Sequence, residues 1–174
     1  MIREATPADA GAIAGVHVRC WQAAYQGLLP GDYLASLSVA QRTARWRRLL
    51  DSGSTTWVSD RSSAAGTPDA AAVVGFVSVG PARGEPEGVG ELYAIYLEPT
   101  HIGQGLGLAL MAHAIEHLQA SGFQQAILWV LESNTRAREF YEAAGWAADG
   151  ATKQESIGGA EVLELRYRTQ LATT

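Results

Sequence analysis

The chain has 174 residues, of which 47% are hydrophobic, and its formal net charge is −5. This length and composition fit one folded domain and exclude a largely disordered chain. The acidic balance provides no basic surface for nucleic acid or for an anionic membrane. The chain does not open with a basic and then apolar segment, and its apolar runs are only a few residues long. We therefore expect a cytoplasmic protein with no signal peptide, no nucleic-acid partner and no membrane partner.

The first third of the chain predicts one short strand and two helices. Residues 2–4 are strand-like, and the segment TPAD, which begins at Thr6, supplies an N-cap, a proline and an acidic residue for a first helical turn. Apolar residues then recur at helical spacing as far as Tyr25. A second capping signature at Ser38 opens an arginine-rich helix that ends near Leu50.

The middle of the chain predicts three strands. Residues 55–60 and 71–80 are rich in strand-forming residues, and the polar segment at 61–70 between them is typical of a flexible hairpin loop. The segment GPARGEPEGVG at 80–90 predicts another turn, and residues 91–99 alternate as a strand.

The last third predicts two helices and three strands. The glycine-rich segment HIGQGLG at 101–107 opens a helix with an apolar stripe, and residues 125–131 are a buried type of strand. A helix over 134–144 follows, and two final strands lie near 146–149 and 161–168.

Strands in series, followed by a strand–helix–strand unit, predict an α/β (α+β) fold with a central mixed sheet flanked by helices. No repeat and no shift in composition marks a second domain, so we expect a single domain over residues 1–174.

The segment HIGQGLG is a candidate phosphate site because it lies where a strand gives way to a helix. Free N–H groups and the dipole at a helix N-terminus attract anions, and glycines allow close approach; a plain turn is the alternative. A Walker loop is excluded because the chain's only lysine, Lys153, lies far downstream. The dinucleotide fingerprint also fails, because Leu108 occupies the place of its third glycine.

Two segments resemble the GCN5-related N-acetyltransferases. IGQGLG at 102–107 is similar to the family's Gln/Arg-x-x-Gly-x-Gly/Ala signature, with Ile102 where Gln or Arg is usual. NTRAREFYEAAGW at 134–146 is similar to its Asn-x-x-Ala-x-x-Phe-Tyr segment, and residues 21–34 resemble the N-terminal helical region of a bacterial subgroup. The resemblance covers nearly the whole chain and implies the acyl-CoA N-acyltransferase fold.

The resemblance implies acetyl-CoA as the acetyl donor and CoA as a product. The pyrophosphate would lie on the N–H groups of residues 103–108, and the pantetheine arm would pair with the strand 91–97 where it separates from the strand 125–131. The cofactor-binding residues so implied are Ile95, Tyr96, Leu97, Ile102, Gly103, Gln104, Gly105, Leu106, Gly107, Leu108, Asn134 and Tyr141.

Acyl transfer to an amine needs a base for the amine and an acid for the departing thiolate. The resemblance implies Glu91 as the base, acting directly or through water; a solvated strand-end carboxylate is the alternative. Tyr141 matches the family's acid, and a phenol of pKa about 10 suits a thiol of pKa about 8.5. Asn134 would share a helix face with Tyr141 and could also cap the helix. We expect Phe140, rather than Tyr141, to be the core residue of this segment.

The resemblance also places an acceptor pocket beside Trp21, Tyr25, Tyr33 and Glu91, although core packing explains the aromatic residues equally well. The acceptor is expected to be a small-molecule or peptide primary amine that attacks acetyl-CoA directly in a ternary complex. An acetyl-enzyme is disfavoured because Cys20 is the only thiol and is expected to lie far from the signature.

The remaining candidates are weaker. We expect His17 to be a core histidine, and His113 with His117 to be a surface pair without a third ligand, so no metal site is predicted. A solvated helix face is expected for the run Arg42, Arg45, Arg47 and Arg48, with a grip on the CoA 3′-phosphate or on an acceptor as the alternative.

Two other functions stay open at this point. One is a non-catalytic CoA-binding sensor or scaffold, which the departure at Ile102 allows. The other is a transferase that uses a longer acyl-CoA or acetylates a protein N-terminus. Dimers are common in the family, so a homodimer is compatible with the sequence.

Overall fold

The computed structural model describes residues 1–60 and 72–171. Its elements are β1 (Ile2–Glu4), α1 (Ala10–Ala24), α2 (Gly31–Ala35), α3 (Val39–Asp51), β2 (Thr55–Asp60), β3 (Val73–Pro81), β4 (Val89–Leu97), α4 (Leu106–Ala120), β5 (Gln125–Leu131), α5 (Thr135–Ala143), β6 (Ala147–Ile157) and β7 (Ala160–Gln170). Short 3-10 helices at Pro7–Asp9 and Pro99–His101 precede α1 and follow β4. The predicted hairpin loop at 61–70 lies outside the described residues.

The seven strands form one mixed sheet in the order β1-β2-β3-β4-β5-β7-β6. β4 and β5 are parallel, with Val89 to Glu91 opposite Gln125 to Ile127, and α4 makes the crossover that a parallel pair requires. The registered pairs β1–β2, β2–β3, β5–β7 and β6–β7 are antiparallel. The predicted α/β fold with a mixed sheet and flanking helices is confirmed.

The predicted helix starts are confirmed where a side chain caps the free N–H groups. Ser38 Oγ accepts from the Gln41 N–H at the start of α3. At the predicted N-cap Thr6 the side chain is not the acceptor. The Thr6 N–H and hydroxyl both donate to the Asp9 carboxylate, at 2.8 and 2.9 Å. This first turn is a 3-10 helix, and α1 proper begins at Ala10.

Two elements differ from the sequence prediction. The five-residue α2 was not predicted, because it is too short for a clear apolar period. β6 continues through the turn-like pair Asp149 and Gly150, because Gly150 takes a φ of 89° within a register shift between Ala148 and Thr152. This shift has the character of a β-bulge, so the strand continues past residue 149, where the sequence predicts its end.

The described chain comprises two compact units, each made of three segments. The first contains Met1–Cys20, Ser38–Val79 and Ala94–Ala114. The second contains Trp21–Leu37, Gly80–Tyr93 and Ile115–Thr174. The first unit has a hydrophobic core made of Ala10, Ile13, Ala14, Val16, Cys20, Trp46, Leu50, Val58, Val73 and Phe76.

His17 packs against this core of the first unit, as predicted. Its ring stacks on Tyr96 with the ring centroids 5.0 Å apart, and the Trp46 indole N–H donates to its Nδ1 at 3.2 Å. Burial, reinforced by the charges of Arg42 and Arg45, lowers the pKa of His17 to about 3. The imidazole is therefore neutral at physiological pH and packs as an aromatic core residue.

In the second unit, alternate residues of the strands face opposite sides of the sheet. The Tyr167 hydroxyl donates to Glu142 at 2.6 Å and accepts from Arg138 at 3.1 Å, so α5 covers the face from which Tyr167 projects. Tyr167 is opposite Leu128, whereas Glu91 is opposite Ile127. The Glu91 side chain therefore projects from the other face.

Candidate functional site

The glycine-rich turn of the first unit leaves backbone N–H groups open at the start of α4. Gly103 and Gly105 have φ values of 82° and 79°, which glycine adopts without strain, and a Cβ on either would meet no atom within 4 Å. The first backbone hydrogen bond of α4 runs from the Ala109 N–H to the Gly105 carbonyl. The N–H groups of residues 106–108 precede this bond, as at any helix N-terminus. This geometry can receive an anion.

The two exposed apolar side chains of this turn are Ile102 and Leu108, whereas Gln104 donates to the Thr100 carbonyl at 3.2 Å. A cavity of about 580 Å³ opens on the same side of the first unit. It is lined by Met1, Asp60, Val74, Thr100, His101, Gln104 and Leu106. The volume lies within the range of small-molecule sites.

The end of β4 holds a contact that corrects one prediction. The Cys20 thiol donates to the Leu97 carbonyl at 2.8 Å, so Cys20 lies against the end of β4, which the resemblance assigns to the pantetheine arm. Burial raises the pKa of Cys20 to about 12, so the thiol stays protonated. Ile95 and Tyr96 precede Leu97 on the strand, and the Tyr96 ring lies on His17.

In the second unit, Glu91 is a buried carboxylate held by Arg83. The Arg83 backbone N–H and Nε donate to Glu91 Oε2 at 3.0 and 3.2 Å, and Nη2 donates to Oε1. Only 3% of the Glu91 side chain is exposed, against 71% for Arg83. The ion pair supplies the partner that a buried carboxylate requires.

Tyr141 is buried, whereas Phe140 is half-buried, so the expectation that Phe140 would be the better core residue is wrong. Position 141 points the tyrosine into the second unit, where its ring centroid lies 6.4 Å from that of Tyr167. Burial, with a smaller effect from Tyr25, raises the pKa of Tyr141. No hydrogen bond joins the Tyr141 hydroxyl to another described residue, and the fully buried oxygen that lacks a partner among these residues is Ser59 Oγ.

The predicted acceptor aromatics also lie in the second unit. The rings of Trp21 and Tyr25 meet edge to face with their centroids 4.9 Å apart, and Tyr25 is the residue that acts electrostatically on Tyr141. Tyr33 lies against the β6–β7 turn, where a Cβ added to Gly158 would clash with its ring. The structure thus brings Trp21, Tyr25 and Tyr141 together, whereas no hydrogen bond or electrostatic interaction joins Glu91 to Tyr141 in the described residues.

Asn134 is the N-cap of α5, and its Oδ1 accepts from the Ala137 N–H at 3.2 Å.

His113 Nδ1 lies 3.2 Å from the Ala109 carbonyl, and His117 Nε2 lies 3.2 Å from the Ser121 hydroxyl. Within residues 1–60 and 72–171, no group of three or more His, Cys, Asp and Glu side chains could hold a metal ion. No helix in these residues is long and apolar enough to cross a membrane.

The sequence model of the Acetyltransferase (GNAT) family matches residues 21–146, which include the glycine-rich turn, Glu91 and Tyr141. The chain belongs to this family.

Individual relatives agree with the family assignment. This GNAT protein is 38% identical over 143 residues to an uncharacterized N-acetyltransferase of Bacillus subtilis, YuaI, covering 82% of this chain and 77% of that one. It is also 38% identical over 76 residues to the mycothiol acetyltransferase of Kocuria rhizophila, but the match spans 42% of this chain and only 25% of that protein.

The fold is shared with solved GNAT structures. The protein yncA of Salmonella typhimurium, solved with its cofactor acetyl-CoA, has a TM-score of 0.71 and 20% identity to this chain. The match covers 100% of this chain and 95% of that one.

Sequence reasoning missed Arg83 in this GNAT protein. The signal available was weak: a carboxylate that is buried at the start of a strand needs a cation, and Arg83 is the nearest arginine along the chain. Burial of Glu91 could not be read from the sequence, because GEPEGVGE around it is rich in glutamate and glycine and is typical of exposed turns.

Proposed function

We propose that this GNAT protein is an acetyl-CoA-dependent N-acetyltransferase that acetylates a primary amine by direct attack in a ternary complex. The observation that carries the proposal is the start of α4, where two glycines with positive φ precede three open N–H groups in a family member. A pyrophosphate is the kind of anion that such a helix start binds.

The residues present fit CoA. The N–H groups of 103–108 would bind the pyrophosphate, and the open space above Gly103 and Gly105 allows it to approach. The backbone of Ile95 to Leu97 would pair with the pantetheine amides, as in a strand. The Leu97 carbonyl already accepts from Cys20, but a carbonyl oxygen has a second lone pair. Asn134 would contribute from the start of α5.

Bound acetyl-CoA supplies a thioester carbonyl that an amine can attack. We assign Glu91 the removal of the proton that the amine must lose, directly or through a water molecule. Arg83 donates three hydrogen bonds to Glu91, and the two carboxylate oxygens offer about four lone-pair sites, so one site is left to accept the proton.

We assign Tyr141 the transfer of a proton to the CoA thiolate when the carbon–sulfur bond breaks. Its raised pKa keeps the phenol protonated until the thiolate forms, and its hydroxyl is not engaged by a described neighbour. Direct attack is preferred to an acetyl-enzyme because burial and the bond to Leu97 keep the Cys20 thiol protonated. The cluster of Trp21 and Tyr25, with Tyr33, would form the wall of a site for a small-molecule or peptide amine.

The proposal is tested by incubating the protein with acetyl-CoA and a panel of primary amines while the release of free thiol is followed. We expect turnover with at least one amine class. Tyr141→Phe should lower kcat about 100-fold while CoA affinity is unchanged, as expected for loss of a general acid. Tyr167→Phe is the matched control, because its hydroxyl is bonded to Glu142 and Arg138, and it should keep kcat.

The role of Glu91 has its own variant. Glu91→Gln keeps an acceptor for Arg83 but cannot take a proton, so kcat should fall about 100-fold. Glu87→Gln, in the exposed part of the same loop, is the control. Tight CoA binding with no thiol release for any amine would contradict the enzyme proposal and point to a CoA-binding module instead.

A further inference from the structure

The Arg83 side chain is held on one edge and one face by residues of its own unit. Its backbone N–H and Nε bond to Glu91 Oε2, and its Nη2 bonds to Oε1. Its guanidinium lies over the Tyr93 ring, with Cζ 4.9 Å from the ring centroid. The Tyr93 hydroxyl in turn donates to the Pro81 carbonyl, so the ring itself is anchored. A side chain held on one edge and one face has lost most of its rotational freedom before any ligand arrives.

The outer edge of this guanidinium is open. A guanidinium carries five N–H groups, and the bonds to Glu91 use one on Nε and one on Nη2. Both N–H groups of Nη1 and the second on Nη2 bond to no residue in the described part of the chain. Since 71% of the Arg83 side chain is exposed, this edge faces solvent.

The other basic side chains described on this face of the sheet are each paired with carboxylates. Arg166 and Arg168 are both held by Glu85 and Asp149, and about a fifth of each side chain is exposed. Lys153 pairs with Glu164 at 3.0 Å. An anion that approaches this face therefore meets Arg83 as the exposed cation with unused N–H groups.

The geometry and the charges around the outer edge of the Arg83 guanidinium favour a carboxylate over a phosphate. Two parallel N–H groups in one plane match the two oxygens of a carboxylate. Glu91 bonds to Arg83, and Glu164 lies near enough to act on it electrostatically. In this acidic setting a singly charged carboxylate is repelled less than a doubly charged phosphate.

We infer that Arg83 is a specificity-determining residue whose outer guanidinium edge binds a carboxylate of the acceptor. The acceptor is then an amine that also carries a carboxylate, as in a free amino acid or an acidic peptide. Glu91 has a second role here, since it orients Arg83. The inference rests on the proposed N-acetyltransferase function.

The test uses matched acceptors that differ only in the carboxylate. One arm compares free amino acids with their α-amides, and a second compares dipeptides with glutamate or glutamine in the second position. In the wild-type protein we expect kcat/KM to favour the acid 10- to 100-fold in one of the arms, mainly through KM, as for a charge-assisted hydrogen bond. The arm that shows the preference identifies the source of the carboxylate.

Arg83→Gln should reduce the preference to less than about threefold, and Arg83→Lys should keep part of it, because lysine offers a charge without the planar fork. Arg136→Gln, which replaces an exposed arginine of α5, is the control and should leave the preference unchanged. Equal rates for acid and amide in the wild type, or a preference that Arg83→Gln leaves intact, would overturn the inference while leaving the acetyltransferase proposal standing.

Binding provides a readout that does not depend on turnover. Calorimetry of the CoA-saturated protein with the same acids and amides should show tighter binding of the acid to the wild type only. Because Arg83→Gln leaves Glu91 buried without its cation, the double variant Arg83→Gln/Glu91→Gln serves as a folded alternative for this measurement. If no amine is acetylated, the proposed function fails; the inference then fails as well only if acids and amides bind the wild type equally.

Discussion

Two glycine-rich connections of this protein look alike in sequence and differ in what they present. The turn at 101–107 exposes backbone N–H groups, and its large exposed apolar side chain is Ile102. The loop at 80–90 places Arg83 on Glu91, and Glu85 on Arg166 and Arg168. The glycines of the first leave space for a ligand, whereas those of the second let the chain fold back so that its charged side chains reach their partners.

The difference shows that glycine content marks where a chain turns, not what the turn binds. A backbone site needs open N–H groups at a helix start, which the order of strand and helix already implies. A side-chain site needs partners that are distant in sequence, such as Arg166 for Glu85. If one loop works through its backbone and the other through its charges, substitutions in the two loops should differ in what they change.

The largest effect is expected for Arg83→Ala. It leaves the Glu91 carboxylate buried without a cation, so the free energy of unfolding should fall by about 3 kcal/mol. Urea unfolding at pH 7 measures this value. Gln104→Ala in the other loop removes one exposed hydrogen bond and should change stability by less than about 0.5 kcal/mol. A similar small change for Arg83→Ala would show that the loop at 80–90 does not depend on its ion pair.

Gly105→Val tests the backbone loop. A β-branched residue is strained at a φ of 79°, by about 2 kcal/mol, and its side chain would enter the open space over the turn. The Kd of CoA, measured by calorimetry, should rise about 30-fold. Gly150→Val is the control, since Gly150 has a φ of 89° and equal space in β6. Equal CoA affinity in both variants would refute a backbone site at 103–108.

A histidine packed against the core of the first unit predicts how stability depends on pH. The pKa of His17 is about 3 in the folded protein and about 6.5 when unfolded, so the unfolded chain binds more protons between these values. The contribution of His17 to the free energy of unfolding is therefore fully present above about pH 6.5. About 2 kcal/mol of it should be lost between pH 7 and pH 5. His17→Asn should flatten the pH dependence in this window, as followed by urea unfolding. If the free energy of unfolding of His17→Asn depends on pH as steeply as that of the wild type, other groups cause the pH dependence.

The smallest effect is expected for Glu85→Gln. Arg166 and Arg168 keep Asp149 as a partner, at 2.8 and 3.0 Å, so the free energy of unfolding should fall by about 1 kcal/mol. Glu87→Gln, on an exposed neighbour, should have no measurable effect. If the two variants have the same free energy of unfolding, Asp149 is a sufficient partner for Arg166 and Arg168 without Glu85.

Local signals were enough to predict most of the fold. Caps at Ser38 and Asn134, the apolar period of α4 and the strand runs all lie within short windows of sequence. β6 was cut short because an Asp-Gly pair usually marks a turn, and only its pairing with β7 shows that Gly150 sits inside a strand.

In the candidate site, too, some features could be predicted from local sequence and others could not. The open helix start at 103–108 follows from the glycines, whereas the contact between Cys20 and Leu97 and the pair of Arg83 with Glu91 join residues whose distance in space no local pattern encodes. The burial of Tyr141 rather than Phe140 depends on the rotation of α5 against Tyr167, whose hydroxyl accepts from Arg138 and donates to Glu142.

The solitary hydroxyl of Tyr141 has a consequence for evolution. Because no described residue bonds to it, phenylalanine at this position should fold at least as well, and stability should rise by up to about 1 kcal/mol. Selection for stability alone would therefore tend to remove the oxygen. A lineage that retains tyrosine at 141 would be accepting a less stable protein in exchange for a group that the fold itself does not need.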